Sequence, residues 1–405
     1  MSQNLKFTVI IPTRQRADVL GPALRTIVAQ DYDNMEILVS DNCSDDDTAD
    51  VVRSFDDPRI RYRNTGQRLS MSHNWEFALS HVKDGWVTIL GDDDGLMPGA
   101  LTRVADIVSE YRTSMVRSSI GSYLWPSLTQ SPFGRLSVGV RRGCELRRSS
   151  DWLERLIKGQ VSYASLPTLY TGGFVDYRLI DRARDKAGNF YRSMVPDVYS
   201  AVVFSKLTDN YVYCHEQLAV GGASRHSTGA SQFSGEKPTQ VDSSPASTYY
   251  SEPNIPFHAD LSLADGVSPP PSIQLLVYES LLQSEHLLTP DGPAVGHAQQ
   301  LEIILRNAKR RHRAELAEWG KAFAHRHDLD FDSIQRRAAM IKYGEKIAKN
   351  GRKFTDQLST VNIAGSSTLP VADVFEASIV AATVKVVGPG KLGSVIRALS
   401  RKRSR

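Results

Sequence analysis

The sequence has few cysteines and no long apolar run. Its three cysteines, Cys43, Cys144 and Cys214, are far apart, odd in number and without metal-ligand spacing, which argues against a disulfide framework and favours a reduced compartment. No eighteen consecutive residues are apolar, so an ordinary transmembrane helix is not expected. The amino terminus lacks the basic and long apolar segments of a secretory signal. These absences predict a cytoplasmic protein.

Charge is nearly balanced in total but uneven along the chain. Residues 1–100 carry ten basic and sixteen acidic side chains, whereas residues 301–405 carry twenty-one and ten. Such a basic part can attract anionic lipid or glycan, or it can be a solvated helical face. In residues 391–405 an apolar stripe lies beside a basic terminus, which fits either peripheral contact with an anionic membrane surface or a disordered solubilising tail. Nucleic acid is not expected as a partner.

Hydrophobic periodicity predicts alternating strands and helices in the first 112 residues. Short β-branched apolar runs at 7–11, 36–40 and 86–90 predict buried strands, and apolar residues recur at helical spacing in between. This alternation is typical of an α/β fold with a mostly parallel sheet and helices on both faces, which binds ligands at the carboxyl ends of its strands. Residues 273–405 have mainly helical periodicity.

Three consecutive aspartates, Asp92, Asp93 and Asp94, directly follow the third of these strands and precede a predicted helix. Carboxylate oxygens are the ligands that Mg²⁺ and Mn²⁺ prefer, and Mg²⁺ often takes only one or two of them beside phosphate oxygens. The run therefore predicts a metal-diphosphate site. An acidic turn that caps the next helix is the alternative.

A second polar set follows the first two strands. Thr13 and Arg14 end the first strand and Asp41 ends the next, and the loops after adjacent parallel strands meet at one edge of a sheet. Arg14 can reach a phosphate, and Asp41 can accept a hydrogen bond from a base. Asp41 is equally a good turn residue.

In order and spacing these motifs resemble the family-2 inverting glycosyltransferases of GT-A fold. The motifs are Val-Ile-Ile-Pro-Thr-Arg at 9–14, Ser-Asp-Asn-x-Ser at 40–44, Asn74-Trp-x-x-Ala78, and Leu-Gly-Asp-Asp-Asp at 90–94. The resemblance covers roughly residues 5–225 and is strongest in the first hundred. It implies a GT-A (Rossmann-like) domain over 1–229, with a nucleotide-sugar half at 1–112 and an acceptor half at 113–229. A Ser/Pro-rich loop or linker at 230–272 and a mainly α-helical region at 273–405 would follow.

The resemblance also implies roles for individual residues of the donor site. Asp94 would bind the metal, Asp92 the sugar nucleotide or the metal, and His226 would complete the metal site. Gly91 stands where the family often has a further acidic residue. The residues expected to contact the donor are Pro12, Thr13, Arg14, Arg16, Asp41, Asn74, Asp92, Asp93 and Arg225.

Asp197, in Val195-Pro-Asp-Val-Tyr199, lies where the family places its catalytic acid residue. It would act as the general base that takes the acceptor hydroxyl proton, with Mn²⁺ or Mg²⁺ stabilising the departing diphosphate. A simple helix-capping role is the alternative.

The expected activity is inverting transfer from a UDP-sugar to a glycan or lipid-linked saccharide in surface polysaccharide synthesis. One alternative is a sugar nucleotidyltransferase, which would need a glycine-rich phosphate loop that residues 12–16 do not provide. The other is a non-catalytic binding or scaffold protein.

Overall fold

A computed structural model describes residues 4–129, 131–227, 249, 252–263, 270–287, 295–357, 360–367, 369 and 371–387. The predicted basic tail, 391–405, and most of the predicted linker, 230–272, lie outside the described residues. No helix in the described part of the chain is both long and apolar enough to cross a membrane.

One sheet of eleven strands organises the described residues. The strands are β1 Phe7–Thr13, β2 Met35–Asp41, β3 Ile60–Asn64, β4 Trp86–Ile89, β5 Gly95–Leu96, β6 Met115–Leu124, β7 Arg135–Gly139, β8 Cys144–Arg148, β9 Gly173–Asp176, β10 Asn210–Ala223 and β11 Thr360–Ala364. The α-helices are α1 Ala17–Val28, α2 Thr48–Arg53, α3 Met71–Leu79, α4 Ala100–Tyr111, α5 Pro126–Thr129, α6 Ser149–Ile157, α7 Tyr177–Ala187, α8 Pro196–Leu207, α9 Ile273–Gln283, α10 His297–Asn307, α11 Arg313–Arg326, α12 Phe331–Gln357 and α13 Val374–Val387.

The first half of the sheet is parallel, with the order β3-β2-β1-β4. Thr13 at the end of β1 lies opposite Asp41 at the end of β2, which itself lies opposite Asn64 at the end of β3. Beyond β4 the sheet is mixed: β9 pairs antiparallel with β4 and β6, while β6 and β10 run parallel. The prediction of an α/β fold with a mostly parallel sheet is confirmed.

Both faces of the sheet are covered, as the alternation of side chains along β1 requires. Val9 and Ile11 point into a core formed with α1 and α4, whereas Ile10 points into a second core formed with α3, α7 and α8. All three side chains are fully buried. Because successive residues of a strand face opposite sides, a strand covered on both faces is apolar throughout.

The carboxyl-terminal region is mainly helical, as predicted, and it also contributes to the sheet. Helices α9 to α12 enclose their own apolar cluster. Strand β11 then pairs antiparallel with β7, and α13 packs on the core between the sheet and α1. No pattern in the sequence indicated these last two contributions. The division of the chain at residues 229 and 272 stays a prediction.

Candidate active site

A cavity of about 320 Å³ lies at the carboxyl ends of the adjacent parallel strands β1 and β4, and it is named here the β1–β4 cavity. Its walls come from the loops after β1, β2, β3 and β4, from the start of α3, and from single residues of later segments. Seven of the twelve predicted site residues line it: Pro12, Thr13, Arg14, Arg16, Asn74, Asp92 and His226. A cavity therefore lies at the edge of the sheet where ligands are expected to bind.

A buried ion pair joins the loops after β1 and β4 inside the cavity. Arg16 Nη1 donates to Asp92 Oδ1 at 2.5 Å, and Asp92 is only 2% exposed. Burial acts to lower the pKa of Arg16, but the Asp92 and Asp93 carboxylates outweigh it and raise that pKa. Burial raises the pKa of Asp92, and the Arg16 guanidinium opposes this effect. The pair holds the two loops together and offers both charge signs to a ligand.

Asp93 and Asp94 do not line the β1–β4 cavity, although they neighbour Asp92 in sequence. Asp93 Oδ2 accepts hydrogen bonds from the hydroxyls of Ser224 and Ser227 at 2.7 and 2.6 Å. Asp94 accepts from Gly222 N at 2.6 Å and also from the Thr171 hydroxyl. Burial, with help from the Asp93 carboxylate, raises the pKa of Asp94. Both carboxylates therefore fasten the loop after β4 to the end of β10.

The close approach of these two segments depends on a glycine. A Cβ atom on Gly222 would lie 1.8 Å from the carbonyl oxygen of Asp93. No side chain fits in that space, so only glycine allows the end of β10 to meet the acidic loop at this distance.

The three predicted metal ligands, Asp92, Asp94 and His226, do not converge. His226 lies at the cavity rim, where its Nε2 is 2.9 Å from Asp18 Oδ1 and its carbonyl accepts from Arg16. Among the described residues no three His, Cys, Asp or Glu side chains form a group that could hold a metal ion. Asp94 Oδ1 accepts from Gly222 N instead of lining the cavity, and the expected three-ligand set stays a prediction.

Two other predicted donor contacts also lie off the cavity. Asp41 is 1% exposed, and its carboxylate accepts from Asn64 Nδ2 at 3.0 Å, from the Tyr62 hydroxyl and from Ser44 N. Arg225 is largely exposed and pairs with Asp18. In this structure Asp41 joins the loops after β2 and β3, while its neighbour Asn42 lines the cavity.

Asp197 lies in the first turn of α8, after Pro196 at the first helical position. The N-cap residue is Val195, and Asp197 Oδ2 instead accepts a hydrogen bond from the Tyr163 hydroxyl at 2.8 Å. Burial raises the pKa of Asp197, and the Tyr163 hydrogen bond opposes this effect. The side chain is not part of the cavity lining, so its predicted role as a base stays a prediction.

Arg68 and Glu252 line the cavity although the sequence analysis did not select them. Arg14 Nη1 and Arg68 Nε both donate to Glu252 Oε1, at 2.6 and 2.9 Å. Arg68 follows β3, so its position after a parallel strand could have indicated it. Glu252 comes from the segment interpreted as a linker, and no local pattern marks it.

Comparison with known proteins gives a family match for the part of the chain that forms most of this site. Residues 8–158 match the model of the family described as glycosyl transferase family 2. Over these residues the chain is similar to that family. The matched residues contain the loops after β1 to β4 and therefore most of the β1–β4 cavity.

Two curated relatives each align with only about a quarter of the chain. A GalNAc(5)-diNAcBac-PP-undecaprenol beta-1,3-glucosyltransferase of Campylobacter jejuni is 38% identical over 26% of the chain and 35% of its own length. The succinoglycan biosynthesis protein ExoO of Rhizobium meliloti is 25% identical over 24% of the chain and 28% of its own length. The chain thus spans about a third of the length of these relatives.

A solved structure shares the fold over a longer stretch. TarS 1–349 of S. aureus, solved in complex with UDP-GlcNAc, has a TM-score of 0.51 and 12% identity. The likeness covers 84% of this chain and 92% of that one. At such low identity the likeness shows a shared fold and no more.

Proposed function

We propose that the protein is an inverting glycosyltransferase that moves a sugar from a nucleoside diphosphate donor, a UDP-sugar, to a hydroxyl of a glycan or lipid-linked saccharide. Surface polysaccharide synthesis is the proposed setting. The names of the two curated relatives, a glucosyltransferase acting on an undecaprenol-linked glycan and a succinoglycan biosynthesis protein, support the acceptor class. The UDP-GlcNAc bound by TarS supports the donor class.

The observation that carries the proposal is the β1–β4 cavity with its charged lining. Arg14, Arg16 and Arg68 contribute three guanidinium groups to one cavity at the carboxyl ends of parallel strands. Guanidinium groups bind phosphate oxygens through charge-assisted hydrogen bonds, and this edge of an open α/β sheet is where nucleotides bind. An anionic nucleotide matches both the charge and the position.

A divalent cation fits this site through one protein carboxylate. Asp92 is the single member of the aspartate run that lines the cavity, and Mg²⁺ commonly binds one or two carboxylates together with substrate phosphates. Asp92 would hold Mg²⁺ or Mn²⁺ in this way. When bound, the ion would neutralise charge on the departing diphosphate. The residues of the chain would orient the donor around it.

Asp197 is proposed as the general base. It is a carboxylate whose pKa burial raises, and a base works best when its pKa lies nearer the working pH. Its ionised form would take the proton from the acceptor hydroxyl as that oxygen attacks the anomeric carbon and the nucleoside diphosphate leaves. Tyr163 holds the carboxylate by donating to Oδ2. Because the attack comes from the side opposite to the leaving group, the configuration inverts.

Calorimetric titration of nucleotides in the presence of Mn²⁺ tests the proposal. We expect UDP to bind the parental protein. Asp92→Asn should weaken the binding of UDP more than that of uridine, since a neutral amide holds Mn²⁺ less well than the carboxylate and the diphosphate depends on that ion. Asp151→Asn, a change at an exposed residue of α6, is the matched control. If UDP does not bind, or if Asp92→Asn weakens uridine binding equally, the assignment of the metal ion beside the diphosphate to Asp92 fails.

A further inference from the structure

Two aromatic rings that contact each other form part of the wall of the β1–β4 cavity, which also contains charged and polar residues. Trp75, in the first turns of α3, and Tyr170, in the loop before β9, both line it. Their ring centroids are 5.3 Å apart, and the planes are tilted by 33°. The two rings therefore form one continuous apolar face beside Asp92 and Gly91.

The hydroxyl of Tyr170 lies against Gly91, the residue directly before the aspartate run. A Cβ atom on Gly91 would be 2.8 Å from the Tyr170 hydroxyl and 2.7 Å from Asp94 Oδ2. Gly91 does not have a left-handed backbone conformation, so the reason for glycine is space. Tyr170 thus fills the position that a side chain at residue 91 would otherwise take.

This hydroxyl has no hydrogen-bond partner among the described residues, whereas nearby Asp94 and Asp197 both accept hydrogen bonds. Burial, and after it the carboxylates of Asp94, Asp93, Asp197 and Asp92, raise the pKa of Tyr170 well above its ordinary value. The phenol therefore stays protonated at neutral pH. It is a neutral donor on a residue of the cavity lining, close to the aspartate run and within the electrostatic influence of Asp197.

We propose that Tyr170 and Trp75 form the subsite for the transferred sugar, an inference that rests on the proposed function. A pyranosyl group has both apolar C–H bonds and polar oxygens. The two rings would pack against its C–H bonds, and the Tyr170 hydroxyl would donate a hydrogen bond to one of its oxygens. Tyr170 lies near enough to Asp197, the proposed base, for that carboxylate to contribute to the raised pKa of the phenol. The nucleoside and diphosphate take the part lined by Arg14, Arg16 and Arg68.

Calorimetry with UDP, UDP-glucose and UDP-GlcNAc in the presence of Mn²⁺ tests the subsite. The informative quantity is the affinity for each UDP-sugar divided by the affinity for UDP in the same protein. Tyr170→Phe keeps the ring and removes the hydroxyl, so we expect this ratio to fall by about 2- to 12-fold for the sugar that binds the parental protein better, while UDP affinity stays unchanged. Gly91→Ala should lower the same ratio, because its methyl group displaces the Tyr170 hydroxyl.

Tyr213→Phe is the matched control. It removes a tyrosine hydroxyl that contacts Ser119 and lies outside the cavity lining, so its ratio should equal that of the parental protein. An unchanged ratio in Tyr170→Phe, including the case in which UDP and UDP-sugars weaken equally, overturns the subsite while the proposed function stands. Failure of the parental protein to bind UDP and both UDP-sugars overturns the proposed function and the subsite together.

Discussion

Replacing Glu252 with glutamine should tighten the binding of a diphosphate. In the structure one oxygen, Glu252 Oε1, accepts hydrogen bonds from Arg14 Nη1 at 2.6 Å and from Arg68 Nε at 2.9 Å. The carboxylate thus occupies two of the three guanidinium groups in the β1–β4 cavity. A diphosphate that binds these arginines has to displace it, and the free energy of that displacement is subtracted from the affinity.

The size of the effect follows from the exposure of the three groups. The Glu252 side chain is 13% exposed, but those of Arg14 and Arg68 are 25% and 55% exposed, so solvent screens the attraction. Partly exposed ion pairs contribute about 0.2–1 kcal/mol each. Glutamine keeps the hydrogen-bonding oxygen and loses only the charge. Without the attraction of two such ion pairs, the free energy needed to displace the side chain falls by about 0.5–2 kcal/mol. We therefore expect UDP to bind about 2- to 30-fold more tightly to Glu252→Gln.

Titration calorimetry with UDP, inorganic pyrophosphate and uridine measures this effect. Pyrophosphate affinity should rise in parallel with UDP affinity, whereas uridine, which has no phosphate, should bind both proteins equally. Glu216→Gln is the matched control, since Glu216 forms a similarly half-buried pair with Arg103 outside the cavity. Equal or weaker UDP binding by Glu252→Gln would refute the reasoning, because Glu252 would then support the arginines rather than compete for them.

Three further changes test other parts of the site and its surroundings. Asp94→Asn should lower the melting temperature, because an amide cannot accept hydrogen bonds with both of its terminal atoms as this carboxylate does; a melting curve that matches the parental one would contradict this structural role. Asp197→Asn should reduce sugar transfer by about 10²–10⁴-fold with little change in UDP affinity, and a variant with the parental turnover would rule out Asp197 as the base. In the parental protein the transfer rate should fall as pH is lowered through the raised pKa of Asp197, since only the ionised carboxylate takes a proton. Glu279 is fully buried in α9, and burial raises its pKa to about 7. The protonated side chain therefore stabilises the folded state fully at a pH below the pKa of the unfolded chain, and this stabilisation is lost as pH rises through 7. The stability of Glu279→Gln relative to the parental protein, measured by urea denaturation, should therefore increase between pH 5 and pH 8 by up to about 3 kcal/mol, with Glu318→Gln as an exposed control; a difference that is constant with pH would disprove it.

The parallel part of the fold could be predicted from local sequence because its signals are local. The apolar β-branched runs of β1, β2 and β4 and the helical spacing of α1 and α4 determine element types without reference to the rest of the chain. The positions of strand β11 and helix α13 could not be predicted from local sequence in this way. Their places depend on pairing with β7 and on packing against α1, both more than 200 residues earlier in the chain, and no local pattern encodes partners at that distance.

The candidate site was predicted to the level of loops, while the direction of each side chain was not. Asp92, Asp93 and Asp94 are adjacent and chemically identical, and nothing in their order distinguishes the one that faces the cavity from the two that fasten the loop to β10. That choice depends on Gly222 N, Thr171 and Ser224. These donors come from segments that lie about eighty residues or more away in sequence.

By itself the sequence determined the edge of the sheet at which the cavity lies, because the ends of parallel strands are set by the apolar runs and the polar residues that follow them. Only the tertiary structure decided which side chains meet there. Arg68, Tyr170 and Glu252 enter the β1–β4 cavity from three separate segments, and Asp41 and Asp94 leave it because nearby donors satisfy their carboxylates. The physical reason is that a buried carboxylate must find hydrogen-bond donors, and the positions of those donors are a property of the folded chain.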